Sequence, residues 1–561
     1  MAADPVPRKS IRPEHAKRFR ETRFQRMKPI VIGLLAIVLL SVLTCYWLVF
    51  IRVTNPGLTF ENELQIPEQS FGTVVDGRRQ FHLTVAEGTR EFLPGKQTPT
   101  AGVNGPYLGP TLRLRRGEDV DLVVQNNLDE MTTMHWHGMH VPARMDGTPH
   151  QEIEPGESWT ASFEVHQQAA PLWYHPHPHG TTGRQVYRGV SGLMWIDDDH
   201  SDALDLPRTY GVDDIPLVIQ DREFDGDGAF RFAVNQGAVY GNTMLVNGTW
   251  SPLLRVEARR IRLRLLNGSN ARIYYIGFDD GREFHQIATD GGFLDAPLQT
   301  NRVTLAPGER AEVLVDFSDG AEVVLRSYPE AGLLETITSH WVGIGTGNLQ
   351  LLKIVPKSPT RVSHGLPERL NPIPRIDASQ AAKTRPMVLA GPLQRGPEGQ
   401  GGQGGRGGRA ARVGQGGQGR QGEQGGRRQR VGPAGIPITG KTMDMARIDE
   451  VVRLGDIEIW EVSNRGGQPH PFHVHLVQFQ ILDRNGRPPS AAELGWKDTV
   501  LVPPGDLVRI IMRFDRYADP QVPYMYHCHI MEHEDNGMMG QFLVVEDPAL
   551  LSKSPSHVAG G

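Results

Sequence analysis

Apolar and polar side chains alternate along much of this chain. Val120, Leu122 and Val124 fall on one side of an extended segment, and Ile261, Leu263 and Leu265 do the same further along. A period of two gives a strand with one buried face. These runs belong to a longer pattern present three times: Leu112-Arg113-Leu114 leading to Asn126, Leu254-Arg255-Val256 leading to Asn267, and Val452-Arg453-Leu454 leading to Asn464. Each copy reads as a strand, a turn and a second strand, which implies one β-domain used three times. Short strands, turns rich in Gly, Pro and Asn, and few helical stretches predict an all-β chain of three β-sandwiches.

Two stretches break the pattern. Between 396 and 432 the chain holds 16 Gly, 7 Gln and 7 Arg and almost nothing apolar. Burial there cannot offset the entropy of ordering, so a disordered loop is expected. This insertion explains why the third copy lies further from the second than the second does from the first. The sandwiches are therefore expected at 57–205, 208–357 and 436–548. From Pro29 to Ile51 no side chain is charged over 23 residues, enough for a helix to cross about 30 Å of hydrocarbon. One N-terminal transmembrane helix is expected over 29–51. Nine Lys or Arg against three acids precede it, which places the basic tail, 1–28, in the cytoplasm and the body on the exported side. A single-pass protein of the cell membrane with a periplasmic or extracellular body follows. A cleaved signal peptide is the alternative, but its apolar core normally runs about 7–15 residues, and no small-residue cleavage site follows the run.

Length and charge narrow the class. A chain of 561 residues divides into several domains rather than one core. With 59 basic and 64 acidic residues and a net charge of −5, nothing draws the body toward nucleic acid or an anionic surface. An exported location also offers the Gly/Arg-rich loop no RNA. The only cysteines are Cys45, inside the apolar run, and Cys528, so the body has no internal disulfide. A lone cysteine is either a small apolar residue or a working thiolate, and here the neighbours decide.

Those neighbours are histidines. One His-x-His pair would mean little, because a strand often carries two polar side chains on one face. This chain has four clusters: His135-Trp136-His137, His175-Pro176-His177, His470-Pro471-Phe472-His473-Val474-His475, and His527-Cys528-His529 with His533 beyond. On a strand each His-x-His turns two imidazoles to one side and the middle residue to the other. Cys528 can then share one metal with His470 and His533 while His527 and His529 serve a second group. A thiolate, two imidazoles and a weak axial thioether describe a blue-copper electron-transfer centre; Met538 is the axial candidate, with Met539 as the alternative. In the first unit Trp173-Tyr174-His175-Pro176-His177 stands where Met525-Tyr526-His527-Cys528-His529 stands in the third, with proline in place of cysteine. Only the third unit therefore has a blue centre. The second unit has neither pair, and His285 and His340 read as ordinary histidines. The other eight, four from each outer unit, are expected to meet between units one and three.

As a set, HWHG, WYHPHPHG, HPFHVH and HCHIMEHEDNGMM resemble the four copper motifs of the multicopper oxidases, in particular the bacterial laccases and copper-efflux oxidases. Gly180-Thr181-Thr182-Gly183-Arg184-Gln185, Tyr210 to Pro216 and Gly495-Trp496-Lys497-Asp498-Thr499 extend the likeness over about Asn55 to Glu546. The resemblance implies three cupredoxin-like Greek-key domains and four copper ions. Type 1 copper would be held by His470, Cys528, His533 and Met538, and type 2 copper by His135 and His473. The type 3 pair would take His137, His175, His177, His475, His527 and His529. It also implies that Asp146 and Glu534 supply protons for reducing dioxygen to water, although a solvated-loop reading of Asp146 stays open. His140, His150 and His179 match no ligand position.

The implied activity is oxidation of a small-molecule reductant coupled to dioxygen reduction. Copper-efflux oxidases carry a Met- and His-rich insertion where this chain has its Gly/Gln/Arg loop, and similar enzymes place an acid and a methionine where this chain has Gly466 and Gln468. Cuprous ion prefers soft ligands, so the expectation is a laccase-type preference for phenols or aromatic amines, with an exposed edge of His470 taking up electrons. A cuprous oxidase served by Met443-Asp444-Met445 is the alternative. A copper-binding or scaffold protein of the same fold is the non-enzyme alternative.

Overall fold

The computed structural model describes residues 32–44, 55, 57–235, 237–329, 348–357, 364–390 and 435–549. The basic tail, the loop at 396–432, Cys45 and His340 lie outside them. Of the apolar run at 29–51 only 32–44 is described; it is helical, with side chains such as Leu40 exposed. Among the described residues no helix is long and apolar enough to cross a membrane.

Six sheets pair into three sandwiches. In the first, the sheet carrying His135–His137 and Ala170–His175 packs on the sheet of Arg78–Glu91, Asp119–Asn127 and Ser158–Glu164, over Phe81, Leu83, Leu122 and Trp136. The second packs a six-stranded on a seven-stranded sheet over Ile215, Leu263, Leu265 and Phe278. The third packs a four-stranded on a five-stranded sheet over Trp460, Phe472, Ile510 and Phe542.

The threefold sequence pattern is the hinge of each sandwich. Its first strand joins one sheet and its second strand the other: Thr111–Arg115 and Asp119–Asn127, Pro252–Val256 and Arg260–Asn267, Glu450–Arg453 and Ile457–Asn464. Each first strand runs parallel to a later strand, Gly192–Asp197, Leu349–Pro356 or Met539–Val545. Each second strand runs parallel to an earlier one, Arg78–Glu91, Asp214–Arg222 or Lys383–Leu389. The recurring asparagine closes the unit. Asn126 Nδ2 donates to the carbonyls of Glu130 and Ile153 while Oδ1 accepts from Leu128 N–H. Asn267 makes the same three bonds to Arg272, Leu305 and Ser269, and Asn464 to Gln468, Val502 and Gly466. A buried amide that satisfies three backbone groups is costly to replace, which accounts for its presence in every copy.

Two segments cross the expected spans. Lys383–Leu389 pairs along its length with Ile457–Asn464, so the third sandwich begins before the Gly/Gln/Arg-rich insertion, which interrupts it after its first strand. Asn62–Glu63 pairs with Pro252 and Leu253 of the second sandwich, and Asn55 bonds to Gln350. The start of the body is thereby tied to the second unit.

Candidate metal centre

Strand pairing brings the histidine clusters together. His135–His137 lies antiparallel to Ala170–His175 with His135 opposite His175, while Trp136 turns into the first core. In the third sandwich His473 stands opposite His527, and Phe472 opposite Cys528. Cross-strand neighbours share a face, so the histidines face one way and Cys528 the other, into the core with Phe472.

His470, Cys528 and His533 converge there. Cys528 Sγ lies 3.4 Å from His470 Nδ1 and 3.6 Å from His533 Nδ1, and the two nitrogens are 3.2 Å apart. Met538 belongs to the same core cluster. Its backbone is bracketed by this group: its N–H donates to His533 O at 2.9 Å, and its carbonyl accepts from Cys528 N–H at 3.0 Å. Met539 instead stands opposite His527. Burial raises the Cys528 thiol well above its usual value, so a thiolate here needs a cation beside it.

The other eight histidines meet on the far side of Cys528. His177 Nε2 and His527 Nε2 are 3.2 Å apart, His475 Nε2 and His527 Nε2 3.3 Å, and His137 Nδ1 and His529 Nε2 3.2 Å. His135, His473 and His175 lie beside them, in three-residue groups whose ligand atoms are all within 4.8 Å of one another. The outward nitrogens are occupied: His135 Nδ1 by Asp146 O, His175 Nδ1 by Pro176 O, and His473 Nδ1 by Asp498 O. A neutral ring whose outer N–H is committed turns a bare lone pair inward. The Nε2 atoms of His135, His175 and His473 are accordingly buried with no partner.

Electrostatics match that picture. Burial, followed by neighbouring histidines, holds His137, His473 and His475 well below the usual imidazole value. His177 is pushed down to about 4 by burial, with Glu534 offsetting part of the shift, and burial takes His533 down to about 4. The rings are therefore neutral, the form that binds metal. Converging lone pairs repel unless a cation lies between them. Two nitrogens each about 2.0 Å from one ion at a tetrahedral angle stand roughly 3.3 Å apart, close to the spacings above. The residues fit bound metal, and the thiolate–imidazole set of Cys528 fits copper.

Both expected carboxylates reach the cluster. Asp146 is fully buried rather than on a solvated loop, because Gly147 turns back at φ +74 where a Cβ would strike Met134 O at 1.7 Å. Asp146 Oδ2 accepts from His475 Nδ1 at 2.7 Å, and Oδ1 lies 3.4 Å from His135 Nδ1. Glu534 lies 3.3 Å from His177 Nδ1 and 3.1 Å from His527 Nδ1. His150 bonds to Gln541, His179 is exposed, and His140 and His285 are half-buried away from the ligands. Asp498 was not singled out from sequence, yet Oδ1 lies 3.0 Å from His137 Nε2 and 3.7 Å from His473 Nδ1. One expectation fails: His470 has no exposed edge, retaining 2% of its surface, with Nε2 buried.

Comparison with known proteins agrees with these groups. Two multicopper oxidase family models match residues 84–201 and 420–548. The multicopper oxidase mco of Staphylococcus aureus is 34% identical over 84% of this chain and 90% of its own length. The cell division protein FtsP of Escherichia coli is 34% identical over 82% of this chain and 89% of its own. A solved structure of a laccase-like multicopper oxidase, CueO from the lignin-degrading bacterium Ochrobactrum sp., is 36% identical, covers 86% of this chain and all of its own, and superposes with a TM-score of 0.73. The fold is accordingly cupredoxin-like, and the chain belongs to the multicopper oxidase family and is an oxidoreductase.

Proposed function

We propose that this protein is a laccase-type oxidase: it takes electrons singly from phenols or aromatic amines and passes them to dioxygen, which is reduced to water. His470, Cys528, His533 and Met538 would hold type 1 copper, His135 and His473 type 2 copper, and His137, His175, His177, His475, His527 and His529 the type 3 pair. When bound, the coppers supply one-electron transfer at the first site and four-electron reduction of dioxygen at the cluster. The carrying observation is covalent: Cys528, in contact with His470 and His533, is bonded through the backbone to His527 and His529 of the eight-histidine group. A copper store or scaffold needs no such wiring, which weighs against a role like that of the FtsP relatives. Asp146 accepts from His475 Nδ1, and Glu534 lies beside Nδ1 of His177 and of His527; both carboxylates would relay the protons that dioxygen reduction consumes. With His470 buried, electrons would pass through the side chains that cover it.

The organic preference is supported by Gly466 and Gln468, which offer no soft ligand ahead of His470. The Ochrobactrum relative is described as active on lignin model compounds and lignosulfonate. A cuprous-oxidase reading also has an observation behind it: Met443 N–H bonds to Gly537 O, directly before Met538. Steady-state oxygen uptake with cuprous ion and with a methoxyphenol, at equal copper loading, separates the two. A clear advantage for cuprous ion, lost in Met443→Ala/Met445→Ala, overturns the laccase reading. The basic tail and apolar run further suggest a membrane-anchored protein with its catalytic body outside the cytoplasm.

A further inference from the structure

All proposed copper ligands come from the first and third sandwiches, yet the second reaches them at two points, directly at Gly308 and through Asp498 at Arg310. We infer that Arg310 and Gly308 of the second sandwich are positioning residues that set the geometry of the three-copper cluster; the inference rests on the histidine assignment proposed above.

Arg310 is 1% exposed, and all five of its N–H donors are used. Nε donates to the carbonyl of Pro171 at 2.9 Å, in the strand of the first sandwich that ends at His175. One terminal nitrogen donates to Gly308 O at 2.9 Å and Asp498 Oδ1 at 2.7 Å; the other donates to Asp290 O at 3.0 Å and Asp498 Oδ2 at 2.5 Å. One guanidinium thus ties together a strand of the first sandwich, a strand of the second and the residue that leads into Thr499–Val502 of the third. The paired bonds to Asp498 fix the plane of its carboxylate, which lysine cannot do with a single ammonium. Asp498 Oδ1 in turn holds His137 Nε2 at 3.0 Å, leaving His137 Nδ1 to face His529. Thr499 Oγ1 donates to Asp498 Oδ1 and lies 3.3 Å from His137 Nε2 and 3.2 Å from His473 Nδ1. The arginine therefore orients one type 3 ligand and one type 2 ligand without touching either.

Gly308 acts on a third ring. At φ +82 its backbone lies flat against His529, and a Cβ would sit 2.7 Å from His529 Cδ2. Gly308, on the turn before the strand Arg310–Asp316, is thus a wall against the cluster, and Arg310 at the start of that strand is a clamp.

An ion pair that only held the sandwiches together would affect stability, because removing one partner leaves the Asp498 charge buried and uncompensated, and it would leave the metal spectra alone. The test uses copper-loaded full-length parent, Arg310→Met, Arg310→Lys and Gly308→Ala. Each is measured for copper per chain, copper retention against a chelator, electron paramagnetic resonance and thermal midpoint. The expected result is an unchanged type 1 signal and blue absorbance with an altered type 2 signal in both Arg310 variants. Cluster-copper affinity should fall about 10- to 100-fold, the usual consequence of losing a residue that orients a ligand. Gly308→Ala should perturb the near-ultraviolet absorption of the coupled pair, and it carries the test if Arg310→Met does not fold. A type 2 spectrum and copper retention identical to the parent's in the Arg310 variants, or equal disturbance of type 1 and type 2 signals, overturns the inference. A parent lacking both signals sinks the histidine assignment instead, and this inference with it.

Discussion

Asp146→Asn tests the site's chemistry with little change in its shape. The carboxylate is fully buried and accepts from His475 Nδ1 at 2.7 Å, a bond between a charged acceptor and a proposed ligand. Charge-assisted bonds are about twice as strong as neutral ones, which contribute about 1 kcal/mol net. Asparagine keeps one acceptor oxygen, so the loss at His475 is about 1 kcal/mol and copper retention should fall by less than about tenfold. His135 keeps its bond to the Asp146 backbone carbonyl at 2.8 Å, so that ring stays in place. Asparagine donates no proton to a reacting oxygen, however, and a positioned acid typically contributes about 10²- to 10⁴-fold. The two half-reactions should therefore separate. Anaerobic reduction by substrate is expected at the parent rate, and reoxidation of the pre-reduced enzyme by dioxygen at least about 100-fold slower. Stopped-flow absorbance on fully loaded protein reads both. Reoxidation at the parent rate would refute the proton role of Asp146, and equal slowing of both half-reactions would point to lost copper.

Three further outcomes follow. Asn267→Ala leaves the backbone groups of Arg272, Leu305 and Ser269 without partners in the second core; a loss of about 3 kcal/mol or more is expected in urea unfolding, and a loss under about 1 kcal/mol would contradict the closing role of this amide. His177 and His533 bind protons near pH 4 when folded against 6.5 for a free imidazole, so the unfolded chain holds more protons between those values. Copper-free protein should thus lose stability as pH falls from 6.5 toward 4, by about 3 kcal/mol per histidine at the lower end; a urea midpoint unchanged between pH 7.5 and 5 would rule this out. Removing residues 1–52 should release a soluble, active oxidase while the full chain stays with membranes after a high-salt wash; full-length protein found soluble and cut near residue 52 would favour a signal peptide.

The gathering of the histidines was legible because strand alternation is a local rule: His135/His137 and His527/His529 declare a shared face two residues apart, and the structure brings these clusters together. The three sandwiches were legible for the same reason, since Asn126, Asn267 and Asn464 each recur at the end of the same strand-turn-strand pattern and make two of their three bonds within five residues. What escaped acts over long range. Asp498 meets His137 across 361 positions, and Arg310 meets Asp498 across 188, distances at which no periodicity speaks. The stretch Trp496-Lys497-Asp498-Thr499 was visible as a shared motif, but nothing in its spacing tied it to His137. Lys383–Leu389 was missed because the insertion at 396–432 separates it from the strand it pairs with. The burial of His470 was equally hidden, because exposure depends on what folds over a strand end and not on the strand's own pattern.

The central claim is that Cys528 links an electron-accepting copper to a separate cluster that reduces dioxygen. Copper content and visible absorbance of the loaded parent and of Cys528→Ser, measured together with oxygen uptake, test it directly. The account predicts a blue parent with four coppers per chain, and a colourless variant that retains the three cluster coppers and loses nearly all turnover. A Cys528→Ser protein that stays blue and active would contradict it.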